Sequence, residues 1–153
     1  MAKPSAKELS PRFASGHESL DERHTRQTFS GKTLEEAEEL FRQNALFHGE
    51  SLHWMGAAAF RYYVMAVISY LKSEHSKDDP DAINGFAFSL EWWAKKPREV
   101  SPIAAELAEV CRYVVEHYEK FGATPEIYGD LRARYQKLAV KFDALRIRSR
   151  AKS

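Results

Sequence analysis

The stretch from Leu52 to Leu71, LHWMGAAAFRYYVMAVISYL, constrains this chain more than any other. Apolar or aromatic residues fall on nearly every side of a helix built from it, and a helix with so little polar face is buried around most of its circumference. Neighbouring helices must therefore surround it. Only one stripe has repeated polar character, through Trp54, Ala58, Arg61, Met65, Ser69 and Lys72, and this seam is expected to meet water. The run Gly56-Ala57-Ala58-Ala59 would let another backbone approach closely. At about 20 residues the stretch is long enough to cross a bilayer. Arg61 sits at its middle, however, where a charge is costly in lipid, and His53, Ser69 and three tyrosines dilute its apolar character. We therefore read 52–72 as a buried central helix, with no membrane partner.

A chain of 153 residues suits a single domain, which buries roughly two-thirds of the surface its unfolded form exposes. The single cysteine, Cys111, excludes an intramolecular disulfide and fits a reducing compartment, so the expected location is cytoplasmic. The opening residues, MAKPSAKELSPRFASGHESLDERH, contain neither the apolar run of a secretory signal nor the acid-poor composition of a transit peptide.

Residues 1–32 mix proline, serine and charge with few apolar residues, the composition of a disordered arm whose ordering entropy nothing offsets. A short helix over Leu20–Arg26, starting near Ser19 or Asp21, is the one element it could form. Thr33-x-x-Glu36 is a capping box, and Leu34, Ala37, Phe41, Ala45 and His48 follow as one apolar face, with Gly49 ending or kinking the helix. After the polar loop SEHSKDDPD, Asp79 and Pro80 start a helix expected to reach about Lys95, ahead of Pro97. Its core face is Ile83, Phe86, Ala87, Leu90, Trp93 and Ala94; Phe88 and Trp92 point the other way. Ser101-Pro102 and Thr124-Pro125 repeat the cap-plus-proline start, Gly122 closing the first of these helices. The last helix carries Ile127, Leu131, Tyr135, Leu138, Phe142 and Leu145 at near-heptad spacing. The fold class is therefore all-α: a single-domain bundle of about five helices over 33–147, with a basic extension at 148–153.

The net charge of +1 conceals an asymmetry. Residues 33–131 hold 17 acidic and 9 basic residues, whereas 132–153 hold eight basic residues against Asp143 alone. Arg146, Arg148, Arg150 and Lys152 are accordingly candidate contacts for an anion or a nucleic acid, by long-range attraction to a phosphate-rich polymer. No helix-turn-helix, zinc-finger or RNA-binding signature accompanies them.

Glu50-x-x-His53 has the spacing of a metal-binding pair on one helical face, as in di-iron bundles, but it occurs once where a complete site needs two and further carboxylates. His48 stands about 140° from His53 on an ideal helix, so the two cannot chelate one ion unless Gly49 breaks the helix between them. Cys111 has no histidine within a turn to activate it, and His117 falls on the apolar stripe as a core histidine. Arg61 has no carboxylate in its adjacent turns, so its partner must come from another helix or from water. No phosphate loop, nucleophile elbow or dinucleotide fingerprint is present. The sequence thus nominates no catalytic residue, metal site or cofactor. It points to a protein-binding module, with Phe88 and Trp92 as partner contacts and self-association within its scope. Nucleic-acid binding through the basic end is the alternative, and a metal-dependent enzyme using Glu50 and His53 ranks third.

Overall fold

The computed structural model describes residues 2–151, whose regular structure is α-helix and short 3-10 turns with no strand. In chain order the helices are α1 (Ala6–Leu9), α2 (Leu20–Phe29), α3 (Leu34–Gln43), α4 (Ala45–Ser51), α5 (Ala57–Lys72), α6 (Pro80–Trp93), α7 (Pro97–Val100), α8 (Ala104–Glu116), α9 (Pro125–Tyr128) and α10 (Leu131–Ala151). The all-helical class agrees with the sequence. The course is more broken than five uninterrupted helices.

Helix α5 is the centre, burying Ala59, Phe60, Tyr62, Tyr63, Val64, Ala66, Val67, Tyr70 and Leu71. Its seam reaches solvent where expected, with Ser69 and Lys72 exposed and Arg61 and Met65 partly so. Arg61 finds its partner on α7, donating to the Glu99 carbonyl at 2.7 Å. The helix begins at Ala57 and not at Leu52, because a 3-10 turn over Leu52–Trp54 and an extended Met55 come first. Nor does the break between α3 and the centre fall at Gly49, which lies inside α4. It falls at Asn44, whose side chain accepts from Phe47 N at 3.2 Å and starts a new helix. Gly49 serves a crossing instead: α4 packs on α6, and a Cβ added to Gly85 would stand 2.8 Å from Leu46 O. Only glycine lets those two backbones come so near.

The arm is the largest departure from the sequence reading. Over its described residues it carries α1, started by a Ser5–Glu8 capping box, which the sequence reading lacks, and α2, capped by Ser19, at the place where the sequence allows a short helix. Its few apolar residues are well used, Leu9 and Phe29 being fully buried. Gly56 N donates to Leu9 O at 3.2 Å, and a Cβ on Gly56 would collide with Glu8 O, so the arm lies directly on the start of α5. Tyr63 from α5 holds it from beneath, its hydroxyl lying 2.8 Å from Phe29 O and 2.9 Å from Lys32 O. Its charges pair internally: Arg12 with Glu22, and Arg26 with Glu18 at 2.8 Å, where the guanidinium holds the Glu18 carboxyl down to about 2. Low average hydrophobicity misleads here because a surface layer needs few anchors when its charges neutralise one another.

Two proline-led starts are also displaced. Before α8 come α7 and a 3-10 turn over Ser101–Ile103. Thr124-Pro125 opens only the single turn α9, which stops at Gly129; Asp130 then accepts from Ala133 N at 3.0 Å and starts α10. Ile127 consequently leaves the stripe and is 75% exposed, while Leu131, Tyr135, Leu138 and Phe142 are buried, and α10 packs on α8. His117, expected in the core, is exposed. His117 caps the end of α8, its N–H still bonded to Tyr113 O at 2.9 Å, and its ring stacks on Tyr113 at 4.2 Å. Cys111 is buried, which pushes its thiol well above the ordinary range. Among the described residues, no helix is long and apolar enough to cross a membrane.

Candidate functional site

Helix α6 buries one face and displays the other. Inward, Ser89 Oγ donates to Gly49 O at 2.6 Å and Trp93 Nε1 donates to Leu52 O at 3.0 Å. Carbonyls near the end of a short helix lack intrahelical donors, and side chains of a neighbour satisfy them. These bonds, together with the stacking of Trp93 on Phe60 at 4.6 Å, pin the 3-10 turn that follows α4 against α6. With Leu52 anchored beneath, the next two residues, His53 and Trp54, are presented beside the outer face of α6.

That placement assembles an aromatic surface. The His53 ring lies 4.6 Å from Trp54, 5.1 Å from Phe88 and 4.3 Å from Trp92, centroid to centroid. Phe88 is 46%, Trp92 36%, Trp54 37% and nearby Phe47 46% exposed, far more than large apolar rings keep when a core is free to cover them. Lys96, just beyond α6, rests its ammonium 4.9 Å over the Trp92 ring. Burial, with Lys96 adding to it, lowers the His53 pKa, and its Nδ1 is enclosed without a hydrogen-bond partner among the described residues. Burial thus favours the neutral form of the imidazole, which packs against the surrounding rings. His48 behaves alike among Phe29, Phe41 and Phe47, its Nδ1 also without a partner among the described residues and its pKa lowered chiefly by burial.

Both residues singled out in sequence, Phe88 and Trp92, are thus exposed and share one patch. Their companions on it were missed. His53 and Trp54 occupy a turn where helical projection fails, and Phe47 belongs to a helix read as a continuation of another. Asn44, a helix-capping residue between two apolar runs, was the one available signal. Glu50 is exposed and makes no pair with His53, and among the described residues no cluster of three or more His, Cys, Asp or Glu could hold a metal ion.

The basic end is divided. Asp143 accepts from Arg112 at 2.7 Å and from Arg146 at 3.4 Å, so Arg146 has a partner within its own helix. Arg134 pairs with Glu91 of α6, and Arg132 lies 3.7 Å from Glu119. Arg148 lines a shallow groove of about 260 Å³ with Pro97, Arg98, Ser101, Leu145 and Ser149. Arg148 and Arg150 belong to α10 itself, not to a tail beyond it. Lys152 lies outside the described residues.

These features define an all-helical protein with an exposed aromatic surface and a separate cationic groove. No protein-family model matches the chain, and no curated protein or solved structure is significantly similar to it.

Proposed function

We propose that this is a protein-interaction module that engages its partner, another protein or a second copy of itself, through the surface of Phe47, Trp54, Phe88 and Trp92. The observation carrying this reading is the cluster of three partly exposed aromatics, Trp54, Phe88 and Trp92, around His53, with Phe47 sharing a cavity wall with Trp54. Interface centres are enriched in tryptophan and other aromatics, and a few such residues dominate binding energy. The test compares wild type with Phe88→Ser/Trp92→Ser as bait in quantitative pull-downs, alongside light scattering after size exclusion. A captured protein, or an oligomer, that is lost in the double variant while the melting temperature holds supports the reading. Identical capture and identical mass in both would reject it.

A second reading, nucleic-acid binding, draws on the meeting of Arg98 with Arg148 in one groove, which adds a cation from α7 to those of α10. Binding of duplex DNA should then weaken steeply with salt, and each arginine removed should make the log–log slope shallower by about 0.9, the share of one neutralised phosphate. Arg98→Ala and Arg148→Ala variants with an unchanged slope would reject it.

A further inference from the structure

Beside Trp54, at the edge of the aromatic surface, α2 and α4 enclose a small cavity of about 70 Å³. Its walls combine two carboxylates, Asp21 and Glu50, with two aromatic rings, Phe47 and Trp54. Of the other arm carboxylates, Glu18 is matched by Arg26 and Glu22 by Arg12, while Glu8 accepts from Ser5 N in its capping box. Asp21 and Glu50 have no cationic partner among the described residues. The remaining polar groups also suit a donor. Ser51, buried, gives its proton to Phe47 O at 3.1 Å and keeps its oxygen lone pairs as acceptors. Thr25, 1% exposed, also lines the cavity. His24, on the same wall, is held edge-on to Phe47 at 5.1 Å.

A pocket with carboxylate and hydroxyl acceptors and aromatic walls is complementary to an organic cation, whose N–H groups are donors and whose charge is attracted to ring faces. The volume agrees. A cavity of about 150 Å³ takes benzene, so one of this volume has room for about three heavy atoms, the tip of a lysine or arginine side chain. We propose that this cavity receives the cationic end of an arginine or lysine side chain presented by the protein partner. The inference rests on the interaction reading above and specifies what the partner must display: an apolar patch for Phe88 and Trp92, and a basic residue beside it for the cavity.

The test needs no partner. Acetyl-arginine amide, acetyl-lysine amide and the neutral acetyl-citrulline amide are titrated into the full-length protein while NMR follows the Trp54 indole and the Phe47 ring. Expected is saturable perturbation by at least one cation, no saturation by citrulline, and at least tenfold weaker binding in Asp21→Asn/Glu50→Gln. Both substituted groups lie at the surface, and an unchanged circular dichroism spectrum and melting temperature verify that the variant is folded. Equal response to citrulline, binding undiminished in the double variant, or no saturation by either cation at 100 mM would each overturn the proposal. Because Phe88→Ser/Trp92→Ser reports on the aromatic surface separately, failure of the cavity and failure of the interface are distinguishable.

Discussion

Trp92 and Trp93 are neighbours in sequence and opposites in the molecule. Trp93 is 3% exposed, stacked on Phe60 and bonded to Leu52 O; Trp92 is over a third exposed, set against His53 and crossed by the Lys96 ammonium. One residue along a helix is a turn of about 100°, enough to separate a ring that builds the fold from a ring that the fold displays. The two are not independent, because the inner tryptophan holds the turn on which His53 and Trp54 stand. The display depends on the anchor.

The strongest way to break this contrast is to truncate both rings. Trp93→Ala should cost about 3–5 kcal/mol, as for large aromatics removed from a core, whereas Trp92→Ala should stay within about 1 kcal/mol; chemical denaturation measures both. Near-equal losses would mean that the faces of α6 are not distinct. Next in size, Gly85→Ala on the inner face should cost about 1–3 kcal/mol, since its Cβ would collide with Leu46 O and push α4 away. A smaller effect belongs to Ser89→Ala, which removes the donor to Gly49 O and should cost about 1 kcal/mol. It should also loosen the turn, which a rise in hydrogen exchange at Leu52–Trp54 would register.

The smallest effect sharpens the outer face through its histidine. Burial lowers the pKa of both His53 and His48 in the folded state, so the unfolded chain binds more protons as pH falls. Stability should therefore begin to fall on acidification near the unfolded histidine value of about 6.5 and keep falling to the depressed folded value. Glu18 and Glu22, whose pKa values are lowered by Arg26 and Arg12, add their own loss only below the ordinary carboxylate range. His48→Gln/His53→Gln should flatten the melting temperature between about pH 7 and pH 5.5 and leave the more acidic loss unchanged.

Much of this was legible beforehand. The buried centre, the Thr33–Glu36 capping box, the Asp79 cap, and the inward and outward faces of α6 all follow from local rules that operate within a few residues. The side of α6 that carries Phe88 and Trp92 was legible for the same reason, since helical periodicity assigns sides once the core stripe is known; whether another segment covers them was not. What failed shares a cause as well. The arm was misread because composition averages over residues, whereas Leu9 and Phe29 act singly, each meeting a site prepared more than twenty residues away in the chain.

The sequence by itself determined that this chain is helical, where α3 and α6 begin, and which face of α6 is apolar, because capping bonds and the period of about 3.6 residues are local properties. Only the tertiary structure decided that the arm lies over Gly56, that α4 crosses α6 at Gly85, and that His53 and Trp54 join Phe88 and Trp92. Those outcomes rest on close approach between distant segments, where an absent Cβ or an unsatisfied carbonyl selects the neighbour.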